Sequence, residues 1–381
     1  MSILLILGYE VTDMEKLRAF LTRKNITFSA KRYFIDAMSA MAQGLFCTLL
    51  VGTILDTIGK QFGIAFLTNA FLTIKQGDTV LSYTIGGLCS LMVGPAMAVA
   101  IGYALQAPPL VLFSLITVGF ATNVMGGAGG PLAVFFVALL AAEIGKAISK
   151  ETKIDILVTP VVTILAGIGF AALVARPIGI AASSVGKAIM WATELQPFFM
   201  GILVSVIIGV ALTLPISSAA ICAALGLTGL AGGAAVAGCC AQMVGFAVMS
   251  FRENRWGGLA AQGLGTSMLQ MGNIVRNPRI WIPPTLAAAI TGPVATCLFR
   301  LEMNGAPVSS GMGTCGLVGQ IGVYTGWVND VASGAKAAVT GMDWLGLVLI
   351  SFVLPAVLTW LIAIPLRKWG WIKDGDLKLD L

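Results

Sequence analysis

Runs of about 20 apolar residues recur from Phe34 to near the C-terminal end, separated by short polar or glycine-rich breaks. That is the length a helix needs to cross the hydrocarbon core of a bilayer. The pattern predicts crossings over residues 34–58, 81–105 (kinked at Pro95), 132–148, 156–174, 198–214, 283–299 (broken at Pro293) and 345–366, with the apolar character continuing over 110–122 into the glycine run. Residues 62–74 are too short to cross and are expected as a half-span or interfacial piece. Residues 176–195 carry small residues and the isolated charges Lys187 and Glu194, which suits an oblique linker helix. Residues 219–248 are rich in Ala and Gly, so a helix or helical hairpin there can pack closely in the bundle interior. Residues 304–327 contain GMGTCGLVGQIG. Backbone this irregular is tolerated at membrane depth only where protein or a water-filled cavity surrounds it; a hairpin and a loop both fit.

Composition supports a lipid solvent. The chain is 57% hydrophobic and 10% charged, where a soluble domain carries roughly 25% charged residues. The expectation is an all-α polytopic membrane protein with about nine or ten spans plus irregular segments. One membrane domain (33–367) would lie between an N-terminal segment (1–32) and a short tail (368–381). A short amphipathic helix is expected over residues 13–21, capped by Thr12 or Asp13. The start, MSILLILGYE, has no basic region or small-residue cleavage site and does not read as a signal peptide.

Charge sets the expected orientation. The net charge is +6, with Lys16, Arg18, Arg23, Lys24, Lys31 and Arg32 before the first span. Lys146, Lys150 and Lys153 lie in one loop, and Arg367 and Lys368 follow the last span. The positive-inside rule places these segments, and both termini, in the cytoplasm, so the crossings are expected to be even in number. No basic patch with interleaved aromatics suggests nucleic acid. The chain has no histidine, which removes the usual near-neutral proton shuttle and the commonest transition-metal ligand; no metal site or cofactor is expected. The seven cysteines form no C-x-x-C pair and read as small buried hydrophobes, a redox role for Cys239-Cys240 being the alternative. The glycine run 123–131 lacks the Lys-Ser/Thr of a phosphate-cradling loop and is expected as a tight turn. No internal repeat of fixed period is present.

The candidate chemistry concentrates between Phe251 and Pro284. Gln262, Thr266, Gln270 and Asn273 are spaced four, four and three apart, so a helix would align them on one face, with Ser267 beside them. Amides and hydroxyls give and take hydrogen bonds without burying charge, which suits a hydroxyl-rich solute. Interhelical hydrogen bonding is the alternative. Thr213, Ser217 and Ser218 around Pro215 make a second polar break, which can face the first across a cavity as discontinuous helices do in transporters. Glu253 and Asn254, in Arg-Glu-Asn-Arg, read either as solute or proton contacts or as a charge-balanced loop. Asp36 and Asp56 are candidates, with Glu253, for a proton or ion path, or else interface charges. Glu143 and Asp155 read as interface charges. Trp256 and Trp281 are expected as interfacial anchors or, alternatively, stacking rings. No hydrolase, kinase or Walker constellation is present.

Several motifs occur in order: FLTRKNITFSAKRYFIDAMSAMAQGLF, KETKIDILVTP, LPISSAAI, GFAVMSFRENRWGGLAAQGLGTSMLQMGNIVRNP and GMGTCGLVGQIG. Together they resemble the enzyme IIC membrane permeases of the bacterial phosphotransferase system, nearest to the branch of perfringolysin-regulator-like proteins, over roughly residues 20–366. The resemblance implies an enzyme IIC-like fold of about ten transmembrane helices with re-entrant hairpins, a homodimer in the bacterial plasma membrane, and elevator-like movement of a small sugar-like solute. A separate IIB protein, charged by IIA, would phosphorylate the solute as it arrives. Carried over by position, the solute contacts are Glu253, Asn254, Gln262, Thr266, Ser267, Gln270 and Asn273. The histidine and Gly-Ile-Thr-Glu-like element of the glucose and diacetylchitobiose relatives do not occur, and no IIA or IIB domain lies within these residues. A proton-coupled secondary transporter of a non-sugar molecule and a membrane ligand sensor therefore stand as alternatives.

Overall fold

Lipid offers no partner to a peptide N–H or C=O, so the apolar runs must close their hydrogen bonds within helices. The computed structural model describes residues 15–76 and 79–379. A first helix (α1) covers residues 15–23, while its expected caps, Thr12 and Asp13, lie outside the described residues. Arg23 ties it to a later loop through Glu151 at 2.8 Å.

The first crossing, Lys31–Lys60 (α2), contains two π-helical stretches, Lys31–Ala37 and Phe46–Leu50. The expected half-span at 62–74 is instead a single helical turn (Ala65–Thr68) followed by a strand. Leu72–Gln76 (β1) pairs antiparallel with Thr79–Tyr83 (β2), Ile74 opposite Leu81. The alternative to a helix wins because this stretch is rich in β-branched and aromatic residues and too short to span. The next crossing begins at Ile85, not at 81, where Thr84 Oγ1 accepts a hydrogen bond from the Gly87 N–H at 3.0 Å. Its two halves, Ile85–Leu91 (α3) and Val93–Ala104 (α4), meet at a 50° bend. The bend falls at Met92, just before Pro95, because the proline ring clashes with the carbonyl four residues back.

Pro109–Gly126 (α5) and Gly130–Ile148 (α6) are joined by a 3-10 turn in which Gly127 adopts φ +51°. An ideal Cβ on Gly145 would lie 2.8 Å from Val111 Cγ1, so the far ends lie side by side. The glycine run is thus the tight turn of an antiparallel helical hairpin. Asp155–Thr193 (α7) is one continuous helix where a span and a separate linker were expected. Pro160 and Pro177 lie inside it, as transmembrane helices tolerate when neighbours re-satisfy the freed backbone; Arg176 and Lys187 are exposed on it.

The second half surrounds a central helix. Pro197–Thr213 (α8) and the short Ser218–Ala224 (α9) lead into Gly229–Met249 (α10), whose apolar window is 94% buried. Small residues allow this: an ideal Cβ on Gly238 would lie 1.8 Å from the Ser205 carbonyl oxygen. Beyond α10 come Phe251–Ala260 (α11), a π-turn over Ala261–Gly265, an extended Thr266, a 3-10 turn over Ser267–Gln270, and Met271–Arg276 (α12). The crossing Pro278–Leu298 (α13) then begins beside the end of α10, an ideal Cβ on Gly245 lying 3.2 Å from Pro284 Cβ. The intervening segment therefore dips into the bundle and returns on the side it left.

A second dip enters from the other end of α10. Met303 and Gly229 exchange backbone hydrogen bonds at 2.9 and 3.0 Å, and Ser310 Oγ donates to the Leu227 carbonyl at 2.7 Å. At the tip an ideal Cβ on Gly313 would lie 2.6 Å from Cys239 Cβ. Val318–Ala332 (α14) carries the chain back, its Gly326 against Asn304. Residues 304–327 thus form a hairpin, not an open loop, packed against α10. Gly341–Lys368 (α15) is the last crossing, opened by a capping box between Thr340 and Asp343.

Among the described residues, six helices are long and apolar enough to cross a membrane, or seven with the α3–α4 pair. The difference from ten has a geometric cause: the 40-residue segment 109–148 counts once although it folds back, and α8 is only 17 residues long.

Candidate functional site

The two dips approach each other from opposite ends of α10, the π-turn Ala261–Gly265 against Cys315–Leu317. Beside their meeting point is a cavity of about 220 Å³. Its polar lining is Ser90, Asn123, Ser217, Ser218 and Thr266; Leu49, Val93, Leu212, Met268 and Met312 are among the apolar groups. No charged side chain lines it. The volume falls below the roughly 300–1,000 Å³ of drug-sized pockets, so it suits a small neutral solute.

Local chain geometry aims these groups. Thr266 is extended at φ −158°, ψ 143° between two helical turns, and its Oγ1 accepts from the Met268 N–H at 3.1 Å. Ser217 caps α9 by accepting from the Ala220 N–H at 3.2 Å, while Ser218 Oγ donates to the Gly311 carbonyl at 2.8 Å. Ser267 and Thr213 share a 2.8 Å hydroxyl hydrogen bond, which stitches the first dip to the end of α8. The two polar breaks singled out in the sequence therefore do meet across one cavity, through Thr266, Ser217 and Ser218.

The amides take a different direction. Glycine-poor helix geometry would have aligned them on one face; the π-turn and extended Thr266 instead fold the segment so that they join in a relay away from the cavity. Gln262 Nε2 donates to Ser250 Oγ at 2.8 Å, Gln270 Nε2 to Gln262 Oε1 at 2.9 Å, and Asn273 Nδ2 to Gln270 Oε1 at 2.8 Å. Gln262 and Gln270 are fully buried. Gln262 also donates to the Gly258 carbonyl at 3.0 Å, while the other amides face the C-terminal tail: Gln270 and Asn254 donate to the Leu377 carbonyl at 3.0 and 2.7 Å, and Asn273 to the Lys378 carbonyl at 2.9 Å.

Over residues 35–379 the sequence matches the family described as Phosphotransferase system, EIIC. The chain belongs to this family. Comparison with curated proteins and with solved structures gave no match. The membership and the apolar helices make this EIIC protein a multi-pass membrane permease component of a phosphotransferase system.

The carboxylates considered for an ion path in the EIIC chain lie apart from one another. Glu253 is 8% exposed and pairs with Arg367 at 3.1 Å; its second oxygen has no hydrogen-bond partner. The following Arg255 sits at φ 50°, ψ −150°, a conformation close to glycine-only territory, and kinks α11. Asp36 is exposed on α2, and Asp56 accepts from Thr84 Oγ1 at 2.9 Å. None of the three lines the cavity. Glu143, half-buried, pairs with Lys146 at 2.9 Å and accepts from the Tyr33 hydroxyl at 3.1 Å at the α2–α6 contact. Trp256 is 74% exposed, whereas Trp281 turns inward and donates from Nε1 to Gln242 Oε1 at 2.9 Å.

Sequence reasoning did not assign Asn123 or Ser90 to the site. Asn123 opens the glycine run, and the signal available was a carboxamide within an otherwise apolar helix. An ideal Cβ on Gly130 would lie 2.5 Å from Asn123 Oδ1, so the missing side chain makes room for that carboxamide.

Proposed function

We propose that this EIIC protein binds a small, uncharged, hydroxyl-rich solute of the sugar class in the cavity between its two re-entrant tips and moves it into the cytoplasm. The observation that carries the reading is the lining itself: four hydroxyls and a carboxamide around apolar walls, with no ionised group. Hydroxyls and carboxamides exchange hydrogen bonds with sugar hydroxyls in both directions, and side chains such as Leu49 and Met268 can cover the less polar faces of a ring. Thr266, Ser217, Ser218 and Asn123 are the proposed direct contacts; Ser267, Gln262, Gln270, Asn273 and Asn254 shape the segment that presents Thr266. A re-entrant pair bearing the site fits an elevator-like shift of the substrate-bearing part in a bacterial plasma membrane, as a homodimer with both termini cytoplasmic. Phosphorylation then belongs to separate IIA and IIB partners.

The alternative of proton coupling through Glu253, Asp36 or Asp56 has less support, because these carboxylates stand outside the cavity and Glu253 is already neutralised by Arg367.

The test is uptake of labelled sugars into proteoliposomes, with and without a IIB protein. Asn123→Ala and Thr266→Val each remove hydrogen bonds to a desolvated solute, so uptake at low substrate is expected to fall about tenfold or more. Unchanged KM in both variants would remove the cavity from consideration. Gradient-driven uptake of unmodified solute would favour the secondary transporter instead.

A further inference from the structure

The tail does more than end the chain. Beyond α15 it doubles back over the first re-entrant segment, and its backbone is held at four points by amides of that segment. Asn277 Nδ2 donates to the Trp371 carbonyl at 2.8 Å; Asn254 and Gln270 converge on the Leu377 carbonyl; Asn273 donates to the Lys378 carbonyl. Asn254 completes a two-way pairing by accepting from the Leu379 N–H at 2.8 Å. The segment is thus read by its main chain, with side chains in pockets. The Leu377 side chain is fully buried and Ile372 is 2% exposed, so the tail also inserts two apolar anchors. The Arg279 guanidinium lies 5.2 Å over the Trp371 ring, and Asn277 reaches Asp376 Oδ2 at 2.8 Å.

Burying three carboxamides commits their donors and acceptors to partners. Gln270 and Asn273 each donate both to the relay and to the tail, and the Leu377 carbonyl accepts twice. The arrangement fits a peptide backbone, and its register is set by Asn254 straddling Leu377 and Leu379. Because the same relay ends at Gln262, eight residues before Gln270 and four before Thr266, the tail and the dip form one hydrogen-bonded unit.

We propose that the amide row is a binding site for a peptide backbone, that its ligand is the chain's own tail segment 376–379, and that this segment straps the first re-entrant segment closed. With the strap in place Ser267 is sealed beneath the tip. When the tail leaves, the amides lose their partners in it, and the re-entrant segment is free to shift and open Ser267 to water from the tail's side. The strap concerns the segment's mobility and holds whatever solute the cavity accepts.

The experiment uses the full-length protein in liposomes, with exposed Cys47 and Cys297 changed to Ser and Ser267→Cys as reporter. Two changes confined to the tail loosen the strap without touching the bundle: Leu377→Asp places charge in the apolar pocket, and Leu379→Pro removes the N–H that Asn254 accepts. Trypsin cleavage after Lys373, a bond intact in both variants, reports release of the tail. The expected result is faster cleavage in both variants, together with about a tenfold rise in labelling of Ser267→Cys by a membrane-impermeant maleimide. A synthetic peptide of residues 372–381 should restore protection. A tail that is released while Ser267→Cys labelling stays at the parent rate would overturn the strap. A tail that stays uncut in both variants would overturn the anchoring by Leu377 and Asn254. Absence of sugar uptake by the parent protein, with this labelling response intact in the Ser267→Cys background, would speak against the cavity reading alone.

Discussion

Arg367→Met is expected to destabilise the protein by about 3 kcal/mol, the low end for removing one member of a buried ion pair. Arg367 is the charge partner of Glu253, which keeps only 8% of its side-chain surface exposed, and it also donates to the Met249 carbonyl at 3.0 Å. Taking the guanidinium away strands a carboxylate whose second oxygen already has no partner. The contact of Arg367 with Asp374 adds little, since Asp374 is 87% exposed. Glu253→Gln in the Arg367→Met background removes the stranded charge and should recover most of the loss. Unfolding in micelles, followed by heat or SDS titration, reads both variants. A single mutant as stable as the parent, or a double mutant no better than the single, would show that Glu253 is not held as an ion pair. The double mutant also bears on mechanism: if it still transports, Glu253 carries no proton.

Gly238→Val should be among the most damaging single changes in the bundle. The position lies in the middle of α10, and an ideal Cβ would stand 1.8 Å from the Ser205 carbonyl oxygen and 2.5 Å from its carbon. Both are backbone atoms, so no rotamer change relieves the contact, and α8 must move away. Overpacking costs typically about 1–3 kcal/mol and occasionally more. Here the displaced helix also carries Thr213, whose hydroxyl meets Ser267. The expected outcome is loss of the monodisperse peak in size-exclusion chromatography and a lowered melting temperature. Gly169→Ala, with nothing within 4 Å of an ideal Cβ, is the matched control and should behave as the parent. Equal behaviour of the two variants would sink the close-packed α8–α10 interface.

What could be read from the sequence follows from which forces act locally. Lipid makes hydropathy a strong signal, so the spans around α2, α6, α10, α13 and α15 stand close to where the apolar runs put them. Where position depends on tertiary contacts, the pattern is silent. Residues 156–174 and 176–195 read as two pieces because Arg176 interrupts the apolar run, yet backbone hydrogen bonding carries α7 straight through it. The polar stripe at Gln262, Thr266, Gln270 and Asn273 was visible because of its spacing, but the same glycines that flagged it also break the helix that would have aligned it. Thr266 consequently faces the cavity, and the amides turn to the tail. That tail is more than 100 residues further along the chain, as the Gln270–Leu377 contact shows, so no local pattern could have paired them. Asn123 was hidden for a similar reason: its role depends on Ser217 and Thr266 being folded against it.

The length of α7 has mechanical meaning. Its 39 residues make a rod of about 58 Å at 1.5 Å per residue, nearly twice the roughly 30 Å of hydrocarbon in a bilayer. Its first part lies against the α5–α6 hairpin, with Gly167 beside Val118 and Ala141; its later part meets the second half of the molecule, with Gly186 beside Leu225. The two halves are therefore mounted on one beam, and its weakest section is Pro177, where an N–H is missing from the ladder. Any sliding of one half past the other must flex the beam there or tilt it as a whole, and tilting costs energy that depends on membrane thickness. Transport by this protein should accordingly respond to the acyl-chain length of the lipids around it.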